Sequence, residues 1–465
     1  MRRREAPLRT ALLLGLAFSC LGVIYMTQLT AGGPSAAAGP ALAIELDKAA
    51  YGIGMPVHIT VQLTEPELLL DTGSMELQIM RLTEPAARLQ LPADPGQKVW
   101  RFTWQPPAEP AGYGVRAVLH GPRGPLATSE SAFDVTGDWT EIPRYGFMSE
   151  FGTWNEESET RAVQSMARLH LNAVQFYDWL YRHETPVPTS DVFTDSLGRR
   201  LYADTIRRKI DLSRRYGMAP MAYVAIYAAS PAFYEQHKDW GLYDREGQPI
   251  DFGDGYLYIM NPAQGSGWRE HMIREWLKIV ETYDFDGLHI DQYGYPKVAY
   301  DARGRTVMVG PAFRSFLDET KEKLAEQMPQ RSRITFNSVA NWPAALVAES
   351  SYDFNYIEVW PPYTTYGDLE TIIQASYERS GGKATVIAAY PDRPHEPTVL
   401  LLDAFIFAHG ATHIELGEGN GMLVDPYFPQ VSTGRRIPLA GAHPVLRLHR
   451  LVQGLALRCP PSPFA

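Results

Sequence analysis

Two short segments end an apolar run on a carboxylate: Asp286-Gly-Leu-His-Ile-Asp291-Gln292 and Asn355-Tyr-Ile-Glu358-Val-Trp360. Inside such a run an ionised carboxyl forfeits several kcal/mol of hydration unless it is paired, whereas at the end of the run it can face a cleft. No basic residue adjoins Asp291 or Glu358 in sequence, so a local ion pair is not the obvious reason for either. Two carboxyls on one cleft, one ionised and one protonated, suit retaining glycoside cleavage, in which the first attacks the anomeric carbon and the second protonates the departing oxygen. Their mutual repulsion helps keep one protonated near neutral pH. Other barrel hydrolases and lyases also carry carboxylate-tipped strands, so the chemistry alone leaves them open.

Asp178, Asn337 and Glu415 close other apolar runs in the same way. Tyr177, Asp178 and Tyr223 are candidates for stacking on sugar faces or bonding hydroxyls. Gln292 and Asn337 join them as candidate contacts. His289 shares the side of Asp291 by strand alternation, where it would bond the sugar or tune the carboxylate. Trp360, two residues beyond Glu358, is a candidate platform at the cleaved unit. Glu415, Glu418 and Asn420 sit in a Gly-rich stretch that is either a hydroxyl clamp or a solvated turn. Asn261, just before Pro262, is either a hydroxyl contact or turn chemistry.

The elements that must position these residues alternate. Strands are predicted at Arg144–Ser149, Ala173–Tyr177, Ala219–Val224, Gly287–Asp291, Arg333–Asn337, Phe354–Glu358, Ala384–Ala388 and Thr412–Glu415. Between them runs helical periodicity: Met272, Ile273, Trp276, Ile279 and Val280 form one stripe, Leu369, Ile372, Ile373 and Tyr377 another. Ile206 and Ile210 lead to Gly217, a helix-end residue. Eight βα units in succession predict an α/β fold, a closed (β/α)8 TIM barrel over residues 140–455, whose catalytic groups belong at the C-terminal ends of the strands. The longest loop, around Tyr234 to Pro262, is expected to overhang that face. Residues 42–137 alternate with a period of two between Pro, Gly and Asp, which predicts an all-β immunoglobulin-like sandwich of structural or docking character.

The chain of 465 residues carries 43 basic and 53 acidic side chains. No basic stripe with interleaved aromatics follows the N-terminus, which argues against nucleic acid as a partner. Residues 1–38 read as a signal peptide or N-terminal anchor, with Arg2 to Arg4 before an apolar run from Ala11 to Met26, and predict an extracellular location. Cleavage is expected near Ala38 or Ala43, and membrane contact only if the segment stays uncut. Cys20 and Cys459 make no disulfide framework. No His spacing or EF-hand loop predicts a metal, since Asp251-Phe-Gly-Asp-Gly255 lacks the remaining ligands. No phosphate loop or nucleophile elbow appears, and no cofactor is expected.

Asp286 to Gly294, Asn337-Ser-Val339, Phe354 to Trp360 and Glu415 to Pro429 resemble the motifs of glycoside hydrolase family 66, most specifically His289-Ile-Asp-Gln-Tyr-Gly294 with Glu358-x-Trp360 downstream. The likeness runs from Ala43 to Leu451. It implies Asp291 as nucleophile, Glu358 as general acid/base, and retaining cleavage within an α-1,6-linked glucan. The family comprises dextranases and cycloisomaltooligosaccharide glucanotransferases. The latter carry a carbohydrate-binding module inserted in the barrel, and no insertion of that size is present here. A dextranase giving linear products is therefore expected, with a cyclising or transglycosylating enzyme, or a binding protein without turnover, as alternatives. Family members continue into an all-β domain, whereas the 456–465 tail resembles nothing in them. The expectation there is a truncated or shifted reading frame.

Overall fold

The computed structural model describes residues 41–65, 72–390, 396–414 and 416–421. The predicted leader, the last barrel helix and the tail lie outside them.

Eight parallel strands follow one another around the barrel: β1 Tyr145–Met148, β2 Ala173–Phe176, β3 Ala219–Ala225, β4 Gly287–Asp291, β5 Arg333–Val339, β6 Phe354–Glu358, β7 Thr385–Ala388 and β8 Thr412–His413. Each pairs only with its sequence neighbours. The ring nearly closes just past β8, where Phe147 bridges to Gly417 and donates its N–H to the Leu416 carbonyl at 3.2 Å.

The strands are apolar on both faces because helices cover the outside and side chains fill the inside. The period of two sorts the residues between these layers. Tyr145, Phe147, Ala173, Met221, Phe354, Tyr356, Val386 and Ala388 pack together inside the barrel. Val174, Phe176, Ala222, Val224, Leu288, Ile290, Ile334, Phe336, Ile357 and Ile387 pack outward.

The covering helices are α1 Glu156–Arg168, α2 Ala203–Arg215, α3 Gly267–Tyr283, α4 Val309–Gln327, the short α5 Ala344–Val347, α6 Tyr366–Arg379 and α7 Glu396–Ala408. Three of their starts are capped by side chains, Asn155 for α1, Ser266 for α3 and a Thr365–Asp368 capping box for α6. The whole predicted stripe of α3 is buried. On α6, Leu369, Ile372 and Ile373 are buried but Tyr377 is exposed. Ser376 occupies the buried position on that face instead, a correction to the predicted stripe.

The β3–β4 connection carries a small antiparallel sheet, Ala228–Ala229, Leu257–Ile259 and Asp251–Phe252, and leans over the strand ends as expected. The loops after β2, β3 and β4 share one turn design that the sequence reading overlooked. Asp195, Asp244 and Asp301 each accept two backbone N–H bonds from two and four residues on. Gly198, Gly247 and Gly304 then take positive φ at 80°, 78° and 75°.

The described residues between 42 and 136 form two sheets, of three and five strands, around one core that includes Val57, Ile59, Val61, Leu77, Ile79, Val115 and Phe133. All pairings are antiparallel except the short Tyr51–Gly52 strand, which runs parallel to its neighbour. They are fastened to the barrel. The Ala49 N–H donates to the Tyr216 carbonyl at 2.9 Å, and Arg144 forms a buried ion pair with Asp134 at 3.0 Å. Gly217 ends α2 at φ 74°, and a Cβ there would sit 3.0 Å from Lys48 Cβ, so two constraints require glycine. Among the described residues no helix is long and apolar enough to cross a membrane.

Candidate active site

The polar residues at the strand ends fall on the inward side by the same alternation that fills the barrel. Tyr223 is two residues beyond Met221, Asp291 two beyond His289, Asn337 two beyond Thr335 and Glu358 two beyond Tyr356. They line a cleft of about 440 Å3 together with Tyr177, Asp178, His183, Phe252, Tyr256, Tyr293, Trp360 and Tyr390.

Asn337 joins the two carboxylates. Its Nδ2 donates to Asp291 Oδ1 at 2.8 Å and to Glu358 Oε2 at 3.0 Å. The two N–H directions of a planar amide diverge by about 120°, which puts the acceptor oxygens roughly 5 Å apart. Asp291 also accepts from Tyr223 Oη at 2.7 Å and from the Gln292 N–H at 2.8 Å. Glu358 accepts from Tyr390 Oη at 2.9 Å, and the Trp360 side chain is a further donor.

Burial raises the pKa of both carboxyls. For Glu358, burial and then the neighbouring charge of Asp291 push it up to about 7. Burial also raises Asp291, against the bonds from Tyr223, Asn337 and Gln292 that favour its anion. The donors on Asp291 are at 2.7–2.8 Å, those from Asn337 and Tyr390 on Glu358 at 2.9–3.0 Å. The tighter set holds the anion better, so near neutrality the pair keeps one proton and Glu358 carries it. Asp178, at φ 50°, is raised to about 7, chiefly by burial.

His289 lies at the cleft floor, stacked on Tyr145 and Tyr223 with Tyr356 edge-on. Its Nδ1 meets Tyr145 Oη at 3.2 Å, and burial lowers its pKa to about 3, so it is neutral. Tyr177 packs against Tyr223 at 4.8 Å, and Trp360 against Tyr390 at 6.0 Å.

Other predicted contacts are committed within the protein. The Gln292 amide donates to the Asn337 and Trp342 carbonyls and accepts from the Gly294 N–H, so its polar atoms shape the β4 turn although it borders the cleft. Asn261 is a correction: it lies away from the cleft residues, and its Oδ1 accepts from the Ala263 N–H, the turn role. Glu418 is another: it is buried, accepts from the Ser149 and Glu150 N–H groups, and pairs with Lys209, which also meets Glu159 at 2.9 Å. It ties the end of the barrel to β1 and α2. Glu415 and the Asn420 side chain lie outside the described residues.

Sequence reading missed Tyr390, His183, Phe252, Tyr256 and Tyr293. The signal for Tyr390 was present, since it stands two residues beyond Ala388 on the inward side of β7. The β3–β4 residues had none, because their place depends on how that loop folds back.

A parallel barrel whose strand ends bring two hydrogen-bonded carboxyls into an aromatic cleft defines a carbohydrate-active enzyme of the glycosidase kind. The family model of glycosyl hydrolase family 66 matches residues 46–436, and the chain belongs to that family. It is similar to a cycloisomaltooligosaccharide glucanotransferase of Niallia circulans, 32% identical over 81% of this chain and 41% of the relative. It also resembles a dextranase of Streptococcus salivarius, 24% identical over 61% of this chain and 38% of the relative. The chain thus spans about two fifths of the length of the curated relatives it matches. Among solved structures, a Paenibacillus cycloisomaltooligosaccharide glucanotransferase complexed with cycloisomaltoheptaose superposes with a TM-score of 0.81 at 24% identity, covering 89% of this chain and 80% of that one.

Proposed function

We propose that the chain is an exported retaining glycosidase that cleaves internal α-1,6 bonds of dextran, with Asp291 as nucleophile and Glu358 as general acid/base. The observation that carries this reading is the Asn337 amide bonded to both carboxyls, a separation suited to direct attack and too short to seat a water between them. Asp291 Oδ2, which has one donor, attacks the anomeric carbon while protonated Glu358 delivers its proton to the glycosidic oxygen. The ionised Glu358 then takes a proton from water, which releases the glycosyl group from Asp291. Tyr177, Asp178, Tyr223, His289 and Trp360 hold the sugar. The N-terminal sandwich is in this reading an immunoglobulin-like support.

The activities of these relatives support an α-1,6-glucan as substrate class. They also favour a second reading, transfer to a glucan hydroxyl in place of water, because the glucanotransferases match at 32% and 30% and the dextranase at 24%. The stretch from β3 to β4, residues 226–286, is the longest between described barrel strands, so no module-sized insertion interrupts them, which favours hydrolysis.

The test is incubation of the chain from Ala43 onward with dextran. Linear isomaltooligosaccharides from wild type and none from Asp291→Asn are expected. Cyclic products would select the transferase, and net inversion at early times by NMR would refute the mechanism.

A further inference from the structure

A second cavity, of about 360 Å3, opens beside the cleft and is walled by Arg182, His183, Glu184, Ser230, Gly255 and Tyr256. His183, Ser196, Tyr256 and Leu257 border both spaces, so the two lie side by side and share that wall. Most polar groups around it are spoken for. The Glu184 carboxylate accepts from Ser230 N–H at 3.1 Å and Ser230 Oγ at 2.5 Å. Arg182 Nη1 donates to the Tyr181 and Thr194 carbonyls at 2.7 and 2.9 Å.

His183 is the exception. It is only 6% exposed, yet among the described residues its ring contacts Tyr223 edge-on at 6.4 Å and Nδ1 is sealed off without a partner. A buried N–H without an acceptor is the costlier orphan, whereas a bare lone pair is tolerated more often. The proton therefore belongs on Nε2, the nitrogen that is not sealed off, on a ring that borders both the cleft and the second cavity. Burial also lowers the ring's pKa to about 4, which keeps it neutral.

We infer that the second cavity is an accessory glucosyl site and that His183 is its specificity-determining donor, its Nε2–H bonding a hydroxyl of a sugar unit beyond the reacting one. Tyr256, half exposed on the β3–β4 connection, provides an apolar face for that unit. The inference rests on the α-1,6-glucan reading above. It makes chain length, through a site beside the catalytic cleft, a determinant of affinity.

The experiment measures kcat and KM for a ladder from isomaltotriose to isomaltoheptaose with wild type, His183→Phe, His183→Gln and His183→Asn. Binding of the same ladder is measured by calorimetry in an Asp291→Asn background. For His183→Phe the loss in kcat/KM is expected to grow with length, exceeding tenfold more on isomaltoheptaose than on isomaltotriose and falling on KM, with a matching loss of affinity. His183→Gln, whose amide reaches the place of Nε2, restores more than His183→Asn. A loss equal at every length and falling on kcat would mean that His183 only supports Tyr223, and it would overturn the inference. So would a folded His183→Phe protein with an unchanged ladder. Wild type that neither cleaves nor binds any member would overturn the α-1,6-glucan reading itself, and the accessory site with it.

Discussion

Glu358→Gln should remove turnover and yet make the protein more stable, increasingly so as pH rises. Folding takes the Glu358 carboxyl from an ordinary value of 4.5 to about 7, chiefly through burial and then through the charge of Asp291. The folded state therefore binds this proton more tightly than the unfolded chain. The stability that follows is fully present below about pH 4.5 and is lost as pH rises through about 7. About 2.5 pKa units at 1.36 kcal/mol each gives a cost of about 3 kcal/mol for ionising Glu358 in place. A glutamine resembles the protonated acid at every pH. Its carbonyl still accepts from Asn337, and the Tyr390 hydroxyl can turn to accept from its amide. Melting midpoints of both proteins from pH 4.5 to 8.5 should nearly coincide at the acid end and diverge by a few degrees, in favour of the variant, at the alkaline end. A difference independent of pH, or a variant that melts lower at pH 8.5, would refute the assignment of the raised proton to Glu358.

The same carboxyl sets the pH dependence of the rate: kcat/KM should fall about tenfold per unit above pH 7. Tyr390→Phe, which removes a donor from the Glu358 anion, should move that limb upward. Asp178→Asn should lower the rate without moving the limb, although Asp178 also titrates near 7, and a limb displaced by Asp178→Asn would reassign the acid. Asn337→Ala releases both carboxyls from their shared donor. Its expected signature in a pH–rate profile is a higher alkaline limb together with at least a tenfold lower maximum, and a lower maximum on an unmoved limb would count against the bridge. Asp134→Ala strands the Arg144 guanidinium in the interface between sandwich and barrel. It should cost roughly 3–5 kcal/mol and expose the segment near Thr136 to limited proteolysis, and unchanged melting would show the pair to be dispensable.

The barrel was legible because the strands are short apolar runs, most of them ended by a polar residue, and because the interior and exterior layers obey one alternation. That rule puts Tyr223, His289, Asp291, Asn337 and Glu358 on one cleft. It gave no access to where a polar side chain spends its hydrogen bonds. Gln292, Asn261 and Glu418 look like sugar contacts by type, but their partners are backbone groups or, for Glu418, a lysine 209 residues away in sequence. Phe252, Tyr256 and His183 reach the cleft or its neighbour on loops whose folds depend on Asp-anchored turns and on the small β3–β4 sheet. No periodicity encodes those placements.

The geometry of the pair follows from strand register. β5 lies between β4 and β6, and extending the Ile290–Phe336 pairing by one residue sets Asn337 level with Asp291. Glu358 pairs with Val339, two residues further along β5. Its Cα therefore stands one inward position above the Asp291–Asn337 layer, and two strand spacings of about 4.8 Å separate the carriers along the wall. A short Asp on β4 and a longer Glu on β6, leaning back over the cleft, meet across the Asn337 amide. An aspartate at 358 would fall short of Nδ2 by about one methylene, and a glutamate at 291 would overshoot it. The difference in side-chain length between the two carboxyls is thus set by the register, and the proton they share is a consequence of bringing them within roughly 5 Å in a site where water cannot separate them.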